Sequence, residues 1–302
     1  MRRPLTAVLL AVGACRGGSS EAQQFDGEQA LRWVEHQVAA GPRVPNSAAH
    51  RAIGAWLEQE LRARADSVEV QAFTHVTREG DTLQLRNLIA RFRPSVTDRI
   101  LYVSHWDSRP RSDNDPDPAR RALPTPGAND GGSSTAMLLG VADALKRQPP
   151  PPSLGVDLLF TDGEDWGDDF SGPDALIGAR YFAQHLPPGY RPLFAVVWDL
   201  VGDRDQDFDQ EAISVERAPE VVDRVWRAAA EIGLSRVFRS RNGGSMTDDH
   251  VPLLDAGIRA IDVIDCCGEA RYPWWHTTQD TPDKLSARSL ANVGRLALYL
   301  VR

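Results

Sequence analysis

Residues 158–167 read L-L-F-T-D-G-E-D-W-G, an apolar run of strand composition that stops at Asp162-Gly163 and delivers two adjacent carboxylates, Glu164 and Asp165. In open α/β sheets, ligands bind at that end of the strands. Adjacent acids there suit a metal centre in which one oxygen donor binds the ion and its neighbour moves protons. Two acids in a turn are more commonly just a solvated turn, so the pair gains meaning from the residues that join it. His105, Asp130, Asp199 and His276 each fall at a strand end, a helix start or an adjoining loop. Taken singly, each histidine has the bland reading of a satisfied surface or core residue, Asp130 that of a helix cap and Asp199 that of a strand terminus. Together they offer what a catalytic zinc without cysteine needs, three His or Asp/Glu donors with a fourth position open. Cysteine is no candidate donor: beyond Cys15 there are only the vicinal Cys266 and Cys267, with no C-x-x-C spacing.

Those placements follow from an alternation of elements. Asp26 can cap a helix carrying Ala30, Leu31, Val34 and Val38 on one face, and a second helix is expected from Ser47 to about Arg64. Residues 67–85 alternate apolar and polar around a Gly80 turn, a strand and hairpin, and residues 87–92 and 99–104 read as two further strands. The proline-rich residues 107–126 make a surface loop, long enough to cover a site, before a helix at 135–146. A strand at 155–161 follows, then a helix opened by Gly172-Pro173-Asp174 that runs through Ile177, Tyr181 and Phe182. Strands at 194–198 and 258–264, and helices at 219–232, 248–254 and 286–300, complete the chain. The expected fold is one α/β domain with a largely parallel, mixed central sheet flanked by helices on both faces.

The 302 residues, 42% hydrophobic and 25% charged, have a globular composition able to bury a full core. Residues 1–14 read as a secretory signal peptide, too short to span a bilayer as a mature helix. Val12-Gly13-Ala14-Cys15 looks like a bacterial lipobox that would place a lipid on Cys15, with an ordinary cleaved signal as the alternative. Residues 15–24 form a small, polar tether, leaving 25–302 as the catalytic domain. The expected address is the periplasm or cell envelope, with a monomer that meets the membrane only through that lipid. Formal charge is -8, and loss of Arg2 and Arg3 with the leader makes the remainder more acidic. Such a surface excludes nucleic acid as a partner. It tolerates a cationic ligand such as a free peptide amino terminus.

The ordered set H-x-D (His105, Asp107), G-A-N-D-G (Asp130), D-G-E-D (Glu164, Asp165), W-D (Asp199), D-D-H-x-P-L-L (from Asp248) and W-H-T-x-x-D (from Trp275) resembles the zinc aminopeptidase and glutaminyl cyclase superfamily, peptidase clan MH. The resemblance runs from about residue 40 to the end and implies one of two chemistries. In the co-catalytic aminopeptidase pattern Asp130 bridges two zinc ions, with His105 and Asp199 completing one site, Asp165 and His276 the other. In the glutaminyl cyclase pattern one zinc is held by Asp130, Asp165 and His276. The roughly ten residues between Glu164-Asp165 and Ile177-Gly178-Ala179-Arg180, the Trp275-His276 pair and the D-D-H-V-P run are similar to the cyclase. That reading implies a glutaminyl-peptide cyclotransferase acting on the amino termini of peptides or proteins, with Glu164 as proton shuttle. Asp199 and Asp249 are candidates to hold the amide nitrogen or the Glu164 carboxyl, or to be structural hydrogen bonders. Trp275, with Phe170 or Trp166, would wall the substrate pocket. A non-catalytic binding protein on the same fold is the third reading, disfavoured because a retired site has no physical reason to keep clustered acids.

Overall fold

A hairpin of β1 (Ser67–Val76) and β2 (Thr82–Phe92) leads into strands that are buried at every position, β3 (Arg99–His105), β4 (Gly155–Thr161), β5 (Phe194–Asp199) and β8 (Ala260–Ile264). Burial on both faces is what a parallel sheet under two helical layers demands, and it explains their unbroken apolar composition. The computed structural model describes residues 25–265 and 272–302. The leader and tether expected over 1–14 and 15–24, and Cys266 and Cys267, lie outside the described residues. The main sheet has six strands in the order β1-β2-β4-β3-β5-β8. Pairing is parallel across β4-β3-β5-β8 and antiparallel on both sides of β2. The sheet is therefore mixed, with four adjacent strands ending at one edge.

Helices cover both faces. Tyr102 of β3 donates to Ala297 O in α8 (Ala287–Leu300) at 2.7 Å, and Ser104 donates to Ser134 in α3 (Gly132–Arg147) at 2.8 Å. From the other face, Asn87 donates to Gly178 O in α4 (Ile177–Gln184) at 2.9 Å, and Thr161 to Asp249 at the start of α7 (His250–Asp255). The helices α1 (Gly27–Ala39) and α2 (Ala48–Arg62) are capped by Asp26 and Ser47, and α1 packs on α3 and α8. Ala30 and Val34 of α1 and Leu57 and Leu61 of α2 are fully buried. Each leucine so buried stabilises by about 1.5–3 kcal/mol.

Three local expectations change. The strand break expected at Arg86 is absent, because β2 runs on with Leu83, Leu85 and Asn87 inward and Arg86 only half-buried. Gly172-Pro173-Asp174 does not open α4: Asp174 instead binds His75 at 2.7 Å and accepts from Arg78 N at 3.0 Å, tying this segment to the hairpin. Between β5 and β8 the chain adds a parallel ribbon, β6 (Phe208–Gln210) and β7 (Phe238–Asn242), and the short helix α5 (Ala212–Arg217) before α6 (Pro219–Glu231). Segments of three to six residues are too short to show a period.

Candidate metal centre and active site

Parallel strand ends collect the site. His105 closes β3, Asp199 closes β5, and Glu164-Asp165 follow β4 by a tight turn. Gly163 makes that turn at φ 75°, and a Cβ there would stand 3.0 Å from Leu85, so the sequence needs glycine to swing the two acids back over the sheet edge. Asp162 anchors the turn from below, accepting from Arg86 N and pairing with His50, both at 2.8 Å. Asp107 anchors it from above through the N–H groups of Glu164 (3.1 Å) and Asp165 (3.3 Å). Gly131 caps α3 at φ 70°, where a Cβ would press on Asp107 O at 2.7 Å and the His105 ring at 2.8 Å. Asp130 is thus not the helix cap, and its carboxylate is left for the site. The carboxylate of Asp280 fixes its backbone, accepting from Asn129 N (2.8 Å) and Asp130 N (3.2 Å).

His276 has φ 55°, a strained conformation for a residue that is not glycine. The proline-rich loop over-determines it. Asn114 N donates to His276 O at 3.1 Å, and Asp115 accepts from Thr278 N at 2.9 Å and Thr278 Oγ1 at 2.6 Å. Residues 107–126 are therefore a strap bonded to the His276 loop.

The donors form two triads that share Asp130. His105 Nε2 lies 3.2 Å from both Asp130 Oδ1 and Asp199 Oδ1. His276 Nε2 lies 3.3 Å from Asp165 Oδ1 and 3.6 Å from Asp130 Oδ2. Within His105–Asp130–Asp199, and within Asp130–Asp165–His276, one donor atom per residue falls within 4.8 Å of the others. All five residues are buried, and Asp130 Oδ2 and Asp165 Oδ2 have no hydrogen-bond partner. A buried acceptor left unsatisfied costs about 1–3 kcal/mol, more when charged, which a bound cation offsets. Carboxylate and imidazole donors in this arrangement fit zinc.

Neighbouring carboxyls are pushed apart in proton affinity. Burial raises Glu164 well above the ordinary carboxyl value; His105 opposes this, and Asp248, Asp165 and Asp249 add to it. Burial raises Asp165 too, but His276 and Arg109 outweigh it and bring it below its ordinary value. One acid of the pair can thus hold a proton while the next stays an anionic ligand, the division of roles that acid–base chemistry requires. Burial and then the Asp165 charge push Asp130 up to about 7 against the pull of His105.

Above the triads a recess is lined by Asp130, Glu164, Phe170, Asp199, Met246, Thr247, Asp248, Ile264, Trp275 and His276. Phe170 lies nearly parallel to the His276 ring, centroids 6.3 Å apart, and Trp275 tilts against it at 3.9 Å. Two expected residues fall elsewhere. Trp166 packs with Phe73, Leu83, Leu85 and Ile177 under the hairpin, outside the recess, because the chain turns between 165 and 170. The Asp249 carboxylate accepts from Thr161 Oγ1 and does not line the recess; its neighbour Asp248 does. Of the two roles expected for Asp249, at the site or as a structural hydrogen bonder, its contact with Thr161 matches the second, and Asp248 was not singled out from the sequence. Sequence reasoning also missed Arg43 and Arg109. Fully buried Arg43 donates to Trp106 O (2.8 Å), Gly127 O (2.6 Å) and Asp130 O (3.2 Å), holding the loop that carries Asp130.

Comparison with known proteins agrees with this geometry. The profile of peptidase family M28 matches residues 87–301. The chain is similar to the glutaminyl-peptide cyclotransferase of Bos taurus, 27% identical over 292 residues that cover 86% of this chain and 77% of that protein. Among solved structures, a glutaminyl cyclase of Bacteroides thetaiotaomicron bound to N-acetylhistamine superposes with a TM-score of 0.87 at 34% identity, covering 92% of this chain and 98% of that one. A leucine aminopeptidase precursor of Bacteroides thetaiotaomicron does so with a TM-score of 0.87 at 35% identity, over 92% and 97% of the two chains.

Proposed function

The chain belongs to peptidase family M28, and from that premise we propose that it is a zinc-dependent glutaminyl-peptide cyclotransferase, converting the N-terminal glutamine of a peptide or protein to pyroglutamate with release of ammonia. One observation carries this reading: the buried acids open into a recess walled by Phe170, Met246, Ile264 and Trp275. Apolar walls over an acidic floor suit the chemistry of a glutamine side chain, two methylenes ending in an amide, and the recess, about 20 Å³, has to widen to admit it. The nucleophile is the substrate's own α-amine, already tethered to the γ-amide it attacks, so the protein has mainly to orient the two and stabilise charge.

Asp130, Asp165 and His276 would hold the zinc ion, which would supply Lewis-acid polarisation of the γ-carbonyl oxygen. Glu164 takes a proton from the attacking amine nitrogen and returns it to the amide nitrogen, which leaves as ammonia. A shuttle of this kind contributes about 10²- to 10⁴-fold. Asp248, beside Glu164 in the recess, accepts a hydrogen bond from the amide nitrogen or from protonated Glu164. Asp199 holds the His105 ring at 3.2 Å. Phe170 and Trp275 clamp the methylenes.

The second triad favours one other reading, a co-catalytic aminopeptidase with a further zinc at His105, Asp130 and Asp199 and with Glu164 taking a proton from water. Mass spectrometry of a Gln-Phe peptide incubated with the zinc-loaded protein, against an enzyme-free control, separates the two. Loss of one ammonia from the intact peptide is expected; release of free glutamine would make this an aminopeptidase. The leader and the lipobox-like Cys15 support placing the mature monomer at the cell envelope. Among the described residues, no helix is long and apolar enough to cross a membrane.

A further inference from the structure

Arg109 belongs to neither triad, yet it joins the parts of one. It is 2% exposed. Its Nε and Nη2 fork onto Asp113 at 2.8 and 2.7 Å, and Nη1 donates to Asp165 Oδ1 at 2.9 Å and Gly167 O at 3.0 Å. Nη2 also reaches Asp168 Oδ1 at 3.1 Å. Asp113 Oδ1 in turn stands 3.5 Å from His276 Nδ1. The guanidinium lies 5.9 Å from the centroid of Phe170, the ring parallel to His276. One side chain therefore touches the ligand Asp165, the carboxylate behind the ligand His276, and the aromatic wall beside both.

The other half has a carboxylate behind its histidine but no cation on its aspartate. His105 Nδ1 stands 3.6 Å from Asp107 Oδ1, close to the 3.5 Å of the His276–Asp113 pair, and 3.8 Å from Glu164 Oε2. Among the described residues, no arginine or lysine side chain pairs with the Asp199 carboxylate.

We propose that Arg109 is a positioning residue that commits the zinc ion to the Asp130–Asp165–His276 half of the site. The inference rests on the zinc reading above. By holding Asp165 Oδ1, the oxygen 3.3 Å from His276 Nε2, Arg109 fixes the orientation of a carboxylate whose Oδ2 has no hydrogen-bond partner. By gripping Asp113, it keeps a carboxylate behind His276 Nδ1, so that Nε2 is the free donor. A ligating histidine backed by a carboxylate is oriented and made more basic, and loss of such outer partners costs about 10–100-fold in metal affinity. The task needs arginine's planar fork: a lysine ammonium is a single point donor and cannot grip Asp113 twice while reaching Asp165.

The test is zinc affinity of the purified protein by competition with a chromophoric chelator, together with the visible spectrum of the cobalt-loaded form. Arg109→Met is expected to weaken the first zinc ion about 10–100-fold and to shift the cobalt bands, with Arg109→Lys restoring little. His105→Ala, which removes a neighbour of Asp130, is expected to weaken the first ion less than Arg109→Met does. Should Arg109→Met fail to fold, Asp113→Asn decides: this residue is 38% exposed, and its loss removes the fork while leaving Arg109, giving a smaller weakening of the same sign. Unchanged zinc affinity and cobalt bands in Asp113→Asn and in the folded Arg109 variants would overturn the proposal and leave the zinc reading intact. A wild-type protein that takes up no zinc would overturn both.

Discussion

The two halves of the metal centre meet at Asp130 and are built in different ways. His105 and Asp199 end β3 and β5, and the parallel pairing of those strands sets them side by side at the sheet edge. Asp165 and His276 come from a turn and a loop, so their positions must be imposed from outside, by Asp107, by the strap over residues 107–126 and by the Arg109 fork. A sheet edge places a ligand cheaply and needs only its near neighbours, Asp107 behind His105 and Leu200 N on Asp199. A loop needs a network, and the network can tune orientation and charge. Chemistry that asks for one well-set ion can use the loop half alone, whereas hydrolysis by two ions needs both halves.

That contrast can be broken or sharpened by substitution. The largest loss is expected for Glu164→Gln, which should keep its zinc while turnover falls about 10²- to 10⁴-fold; steady-state rates with metal analysis would show it, and unchanged turnover would end the shuttle assignment. His276→Ala should lose its zinc on dialysis, whereas His105→Ala should retain one ion, a difference readable by elemental analysis. Zinc lost equally from both would erase the distinction between the halves.

A smaller effect separates the adjacent acids. Asp248→Asn is expected to lower kcat about 10²-fold through a missing acid–base partner, while Asp249→Asn should mainly lower stability, by about 1–3 kcal/mol in urea unfolding, through its bond with Thr161. The reverse pattern would return Asp249 to the site.

The mildest expectation concerns Glu211, which holds the backbone of the recess residue Met246. Glu211 accepts from Ile213 N, Ser214 N and Met246 N at 2.8, 2.6 and 3.1 Å and lies 3.3 Å from His250 Nε2. Burial raises its pKa, but the His250 contact and the backbone donors outweigh burial and hold it at about 2, below the ordinary 4.5. Its stabilisation is thus complete above pH 4.5 and lost as pH falls towards about 2. The stability gap between wild type and Glu211→Gln should close as pH falls from about 4.5 towards about 2; a gap that widens in acid would contradict this.

Legibility in the sequence divides along the same line. The alternation of apolar strands with helices pointed to the mixed sheet, and short motifs at strand ends pointed to His105, Glu164, Asp165 and Asp199, because strand-end placement is a local property; Asp130 before a helix and His276 in a loop were carried by the ordered set of motifs instead. What the loops do was not local. Arg43 reaches Trp106 and Asp130, and Arg109 reaches Asp165, 56–87 positions away in the chain, with no spacing signal to mark them; the Arg109–Asp113 pair, four residues apart, gave no sign of its place beside His276. Which of Asp248 and Asp249 faces the recess depends on the phase with which α7 begins, and which of Trp166 and Phe170 does so depends on a turn that has no period. Asp174 looked like a helix opener because its partners, His75 and Arg78, lie across the hairpin.

The central claim is that one zinc ion in the loop half suffices for cyclisation. Zinc titrated into the metal-free protein, with ammonia release from a Gln-Phe peptide followed by mass spectrometry at each step, tests it most directly. Full activity at one equivalent, with the peptide otherwise intact, is the expected result. Activity that rises only towards two equivalents, accompanied by free glutamine, would contradict it.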